Sequence, residues 1–138
     1  MNGYKKTLGR RGEEIAREYM ISLGFEITGQ NVRVSHDEID IIAENDESIV
    51  FVEVKSRAAT GSNRRYGSPA GAVDHTKKER LLRSAEEYIR RNAVTKRPRI
   101  DVVEVVFPAV HKDTPIDLST LAPLEVKHFK NAVIRGRT

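Results

Sequence analysis

The first stretch with a regular pattern is 9–23, where Ile15, Ala16, Tyr19, Met20 and Leu23 recur at helical spacing on one side. Glu13 and Glu14 are expected in the first turn of that helix, where the helix dipole favours negative charge. Gly24 suits its stop, because glycine adopts the left-handed closing conformation without steric cost. The periodicity then changes to alternation. Residues 25–33 predict a weak strand interrupted by Gly29, and residues 38–44 and 48–55 predict two stronger ones rich in β-branched side chains. The short polar link Asn45-Asp46-Glu47 makes these two an antiparallel hairpin. In the second strand, alternation sends Val50, Val52 and Val54 to one face and Ile49, Phe51, Glu53 and Lys55 to the other. Both faces begin apolar, so this strand is expected at the centre of a sheet covered on both sides.

Residues 56–71 are small, polar and basic and read as an exposed loop. A second helix is predicted over about 74–91, with Leu81, Leu82, Ala85, Tyr88 and Ile89 as its apolar stripe and Thr76 with Glu79 as a capping box. Pro98 is expected to end that region, followed by a strand at 99–107, a proline-bearing loop at 108–123 and an edge strand at 124–129. The order implies an α/β fold, a mixed sheet of four to five strands flanked by α-helices. No repeat, low-complexity block or linker divides the chain, so residues 1–138 are expected to form one domain with a flexible basic tail at 130–138.

Composition narrows the chemistry. The 138 residues include no cysteine, which excludes a disulfide scaffold, a cysteine-rich zinc site and a thiol nucleophile. No apolar run approaches the roughly 20 residues of a spanning helix, and the start of the chain lacks a signal-like apolar stretch. A cytoplasmic protein without membrane contact is the expectation. The net charge of +4 conceals a segregation: residues 19–54 carry eight acidic side chains and one basic, residues 55–100 thirteen basic and four acidic. That arrangement suits a carboxylate cluster in need of cations beside a surface that attracts phosphates.

Glu53 and Lys55 share one face of a strand that is strongly apolar where they sit, next to Phe51 and Val54. Charged groups there are costly unless paired, exposed or coordinating something. Alone, the pair reads as an ordinary surface ion bridge. Folding the hairpin across residues 45–47, however, brings Asp40 close to Glu53, and two neighbouring carboxylates repel unless a proton or a cation intervenes. Oxygen-rich sites of this kind suit Mg²⁺ or Mn²⁺. The four histidines, His36, His75, His111 and His128, show no metal-ligand spacing.

Glu38-Ile39-Asp40 followed by Glu53-Val54-Lys55 resembles the PD-(D/E)XK nuclease superfamily, with its restriction-endonuclease-like core. More closely the chain resembles the bacterial YraN-like family within it. The matching residues are Gly9-x-x-Gly12-Glu13, Gly24-Phe25, Asn31-x-Arg33, the run from Glu38 to Ala43, Val50 to Arg57, Tyr66-Gly67-x-Pro69, Ala72-Val73 and Arg99 to Val103. The layout is also similar to that of archaeal Holliday-junction resolvases. Two departures stand beside the site: His36-Asp37-Glu38 replaces the superfamily's proline-bearing turn, and Asp37 stands where the family usually has glycine.

The resemblance implies a metal-dependent endonuclease or phosphodiesterase acting on DNA, on branched or single-stranded intermediates of repair or recombination. Asp40 and Glu53 would bind the metal with the Val54 carbonyl, Lys55 would orient or deprotonate the attacking water, and Glu13 would complete the cluster. Arg57, Arg64, Arg65, Tyr66, Lys77 and Lys78 are candidates for holding the nucleic acid by its backbone or by stacking. No recognition helix or zinc finger is visible, so binding is expected to follow nucleic-acid structure rather than sequence, with RNA as a second possibility. Junction resolvases are dimers, which makes a homodimer one expectation beside a monomer. Two alternatives are a non-catalytic nucleic-acid-binding or adaptor module on the nuclease fold, and a protein-interaction domain using the hydrophobic 99–107 region and the last strand.

Overall fold

A computed structural model describes residues 2–59, 75–109, 117 and 120–132. Its elements are α1 (Asn2–Ser22), β1 (Glu26–Val34), β2 (Asp37–Glu44), β3 (Ser48–Ala58), α2 (His75–Arg91), β4 (Arg97–Phe107) and β5 (Glu125–Phe129). The strands form one mixed sheet in the order β1-β2-β3-β4-β5, antiparallel except for the parallel β3–β4 pair. With two helices flanking five strands, the fold is the expected α/β type and is consistent with a restriction-endonuclease-like core. No helix among the described residues is long and apolar enough to cross a membrane.

The alternation of β3 places it as the sequence implies. Val50 and Val52 join Leu8, Ala16 and Met20 of α1 in one core, while Ile49 and Phe51 join Ala85 of α2 in the other. Phe51 also meets the Tyr88 ring edge-on at 5.6 Å. Asn45 stabilises the hairpin link by accepting from the amides of Glu47 and Ser48 at 3.0 and 2.7 Å. The weak β1 carries a register shift between Ile27 and Gly29, which is how the strand accommodates the interruption.

Helix α1 begins at Asn2, well ahead of residue 9. The buried stripe is Leu8, Gly12, Ala16 and Met20, spaced by four. A glycine on that stripe carries no hydrophobic signal, which is why the apolar periodicity becomes visible only later. Glu13 and Glu14 therefore lie mid-helix, and the dipole explanation for them fails. The stop is as expected: Gly24 has φ of 98°, its amide donates to Ile21 O at 2.9 Å and that of Phe25 to Met20 O at 3.2 Å, a Schellman closure.

Other boundaries move as well. Strand β3 runs through Ala58, so 56–58 are not loop, and residues 60–71 of that loop lie outside the described residues. Helix α2 opens at His75, which puts Thr76 inside its first turn rather than at the cap. Pro98 lies within β4 instead of preceding it, at a level below the Val102–Val106 segment that pairs with β5, so its missing N–H interrupts no bond on that side. Residues 100–107 are buried between β3 and β5, and they offer no surface to a protein partner. Of the proline-bearing loop, residues 110–116, 118 and 119 lie outside the described residues, as do 133–138 of the tail.

Strand β5 is tied to the core by a buried polar network. Asp101, fully buried, accepts from Arg99 Nε and Nη2 at 2.8 Å each, from the Asn131 amide at 2.9 Å and from His128 Nε2 at 2.7 Å. With Nε2 donating to an ionised carboxylate, His128 Nδ1 accepts from the Tyr19 hydroxyl at 3.0 Å. Burial pushes the Asp101 carboxyl up, but the bonds from Arg99, Asn131 and His128 outweigh it and hold it below its ordinary range. The network links α1, β4 and β5.

Candidate active site

The site forms where the β2–β3 hairpin stops being a backbone ladder. Pairing runs from Glu44↔Ile49 to Ile41↔Val52, and the next residues out are Asp40 and Glu53. There the Asp40 side chain replaces the ladder: the Val54 amide donates to Asp40 Oδ2 at 2.8 Å. Both carboxylates lie on the α2 face of the sheet, Glu53 only 8% exposed. Glu13 arrives from α1, on the other face, and reaches the same end of the sheet.

Gly12 is what lets it do so. A Cβ at this position would lie 1.8 Å from Ser56 Oγ and 3.0 Å from Ser56 Cβ. With glycine here α1 sits close against Ser56 of β3, and Glu13 comes within electrostatic reach of Glu53.

The crowded carboxylates raise the proton affinity of Asp40 and of Glu13. Asp40 is pushed up to about 7, first by burial and then by Glu53 and Glu13, against the pull of the Val54 amide and Lys77. Glu13 is raised by burial, then by Glu38 and Glu53, against its hydrogen bond with Asn31 and the charge of Arg10. Asn31, with φ of 49°, holds a turn-like conformation in β1. Such mutual destabilisation is relieved by protons or by a cation.

A cavity of about 230 Å³ opens beside the pair, with Glu38, Asp40 and Glu53 on the sheet side and Lys77, Arg80 and Ser84 of α2 opposite. Asp37 also lines it. Lys77 Nζ lies 3.0 Å from Glu53 Oε2. Lys55, partly exposed, shares the Glu53 face and stands in register with Glu104 of β4. Among the described residues, no three Asp, Glu or His side chains converge as a preformed metal cage. The donors that could hold a divalent cation are the Asp40 and Glu53 carboxylates, with the Val54 backbone beside them and Glu13 near. Mg²⁺ suits such a set, since it takes one or two carboxylates and keeps water or phosphate oxygens for the rest.

Two residues expected from the sequence to hold nucleic acid, Arg57 and Lys77, lie against carboxylates. Arg57 does not face outward; its Nε lies 2.6 Å from Glu104 Oε2, where it neutralises a carboxylate 2% exposed in the middle of β4. Lys77 is engaged with Glu53 at the site itself. Lys78 is beside it on α2 but outside the cavity. Arg64, Arg65 and Tyr66 lie outside the described residues. Sequence reasoning missed Arg80 and Ser84, which follow Lys77 by three and seven positions and so share its helix face. It also missed the Glu13–Asn31 contact, for which no local pattern exists.

The model of the uncharacterised protein family UPF0102 matches residues 12–105, which include Glu13, Asp40, Glu53, Lys55 and the α2 side chains of the cavity. The chain belongs to the UPF0102 family. Among UPF0102 relatives, one from Symbiobacterium thermophilum is 43% identical over 101 residues, covering 72% of this chain and 82% of the relative. One from Caldicellulosiruptor saccharolyticus is 39% identical over 115 residues, covering 83% and 94%. One from Chlorobium chlorochromatii is 33% identical over 125 residues, covering 91% and 89%. The UPF0102 match starts at Gly12, the glycine that seats α1 on β3, and ends one residue past Glu104, the partner of Arg57.

Proposed function

We propose that this UPF0102 protein is a metal-dependent phosphodiesterase of the PD-(D/E)XK type, acting on branched or single-stranded DNA. The observation that carries the reading is the juxtaposition of Asp40 and Glu53 at the open end of the hairpin, with Asp40 pushed toward neutrality by burial and then by its neighbours. Asp40 and Glu53 would hold Mg²⁺ or Mn²⁺ with the Val54 carbonyl, and Glu13 would complete the set. When bound, the cation supplies Lewis-acid neutralisation of the charge that develops on the phosphate. The Val54 amide fixes the Asp40 carboxylate in one orientation, so the donor does not have to be ordered on binding. Lys55, on the Glu53 face, orients the attacking water and places an ammonium where negative charge grows. Glu13, whose carboxyl is raised by burial, would join that set directly or through a cation-bound water. The basic α2 surface, with Arg80 in the cavity wall, supports an approach by a phosphate backbone.

Cleavage of a panel of four-way junctions, flaps and single strands with Mg²⁺ or Mn²⁺ tests the reading. The expected result is metal-dependent nicking that Asp40→Ala and Glu53→Ala each abolish. Activity that survives those substitutions refutes the site. Salt-sensitive DNA binding with no cleavage of any substrate favours the non-catalytic binding module instead.

A further inference from the structure

We infer that Lys77 is a built-in counter-cation of the site: its ammonium occupies the side of Glu53 that a divalent cation takes, and the cation has to displace it. The inference rests on the cation-dependent reading above and concerns how the same site is regulated. The ion pair is uneven. Glu53 is fixed on a central strand with its side chain 10% exposed, whereas the Lys77 side chain is 39% exposed at the end of a flexible stem. Exchange therefore moves the ammonium and leaves the carboxylate in place. The ammonium end of the pair reaches water, so it can leave Glu53 without any buried element moving.

The pair also has a physical purpose before substrate arrives. Glu13, Asp40 and Glu53 repel one another at the end of the hairpin, and Lys77 brings a cation within ion-pair distance of Glu53. Its helix position gives the displaced side chain somewhere to go. Lys77, Arg80, Leu81 and Ser84 are spaced as one helix face and line one cavity. Once off Glu53, the ammonium stays in the cavity wall opposite the carboxylates, beside Arg80, where a phosphate bound at the site would meet it.

Calorimetric titration with Mn²⁺ tests this without any cleavage assay. Four proteins are compared, the wild type, Lys77→Met, Glu53→Gln and Arg83→Met, each checked for folding by circular dichroism. Arg83 is exposed on the same helix outside the cavity, so its loss removes an equal charge without touching Glu53. Lys77→Met is expected to bind Mn²⁺ about fivefold more tightly than wild type. Arg83→Met should stay within about twofold, and Glu53→Gln should lose the binding. Unchanged or weaker binding by Lys77→Met, with Glu53→Gln still abolishing it, overturns the inference and leaves the cation site intact. Equal tightening by Arg83→Met also overturns it, since that is a general field effect. Absence of Mn²⁺ binding in all four overturns the cation-dependent reading itself, and this inference with it.

Discussion

The Val54 amide donates to Asp40 Oδ2 at 2.8 Å, one step beyond the last backbone pair of the β2–β3 hairpin. A side chain thus finishes the ladder that the backbone leaves. The carboxylate is thereby held beside Glu53, at an electrostatic cost visible in its proton affinity.

That cost has a pH signature. The folded chain keeps the Asp40 proton up to about pH 7, while the ordinary value is 3.8. Between these limits the native state binds more protons than the unfolded one, so stability falls as pH rises. Glu13, also raised, acts in the same direction. Glu44 and Asp101 are lowered, and their contributions are lost only at more acid pH. Metal-free thermal melts are expected to show Tm declining from pH 4.5 to 7.5, as stability falls by on the order of 3 kcal/mol when Asp40 gives up its proton. Asp40→Asn should flatten the decline. A wild-type Tm that rises through this window contradicts the account.

Gly12→Ala tests whether α1 must touch β3. The added methyl collides with Ser56, and overpacking of this kind costs about 1–3 kcal/mol. Ser56→Ala in the same chain removes the 1.8 Å contact and keeps the 3.0 Å one, so part of the loss should return. Chemical denaturation of the two variants measures it. Full stability in Gly12→Ala alone would show that the close approach is unnecessary.

Arg57 is expected to behave as a core residue. Arg57→Ala leaves Glu104 buried without this cation, which costs about 3 kcal/mol. Differential scanning calorimetry should show Tm lower by roughly 10 °C. Weakened DNA binding with an unaltered Tm would instead return Arg57 to the phosphate-contact role.

Asp101→Asn keeps the shape of the network but removes the charge that Arg99 and His128 face. A loss of about 3 kcal/mol is expected, with Tm lower by roughly 10 °C. Mn²⁺ binding at low temperature should persist, since the network is separate from the carboxylates of the site. An unchanged Tm would mean that this network does not hold β5.

Much of the fold and of the site is legible in the amino-acid sequence. The hairpin and its register follow from alternation and a polar link, and they bring Asp40 to Glu53 by counting alone. The signals that fail are tertiary. Lys77 reads as one of several helix cations, because only the docking of α2 on the Phe51 face selects it for Glu53. Arg57 reads as part of a basic loop, although Glu104 within an otherwise apolar strand is a warning that a buried cation is needed. Asp101, before the same apolar run, carries a similar warning for Arg99 and His128. The early start of α1 is hidden by Gly12, a buried position with no side chain to signal it.

The most direct test of the central claim is single-turnover cleavage of a labelled DNA substrate at saturating protein and Mn²⁺, comparing wild type with Lys55→Ala. If Asp40, Glu53 and Lys55 do chemistry, the variant keeps its DNA affinity and its Tm while cutting at least about 100-fold more slowly. Equal cleavage rates for the two proteins would contradict the account.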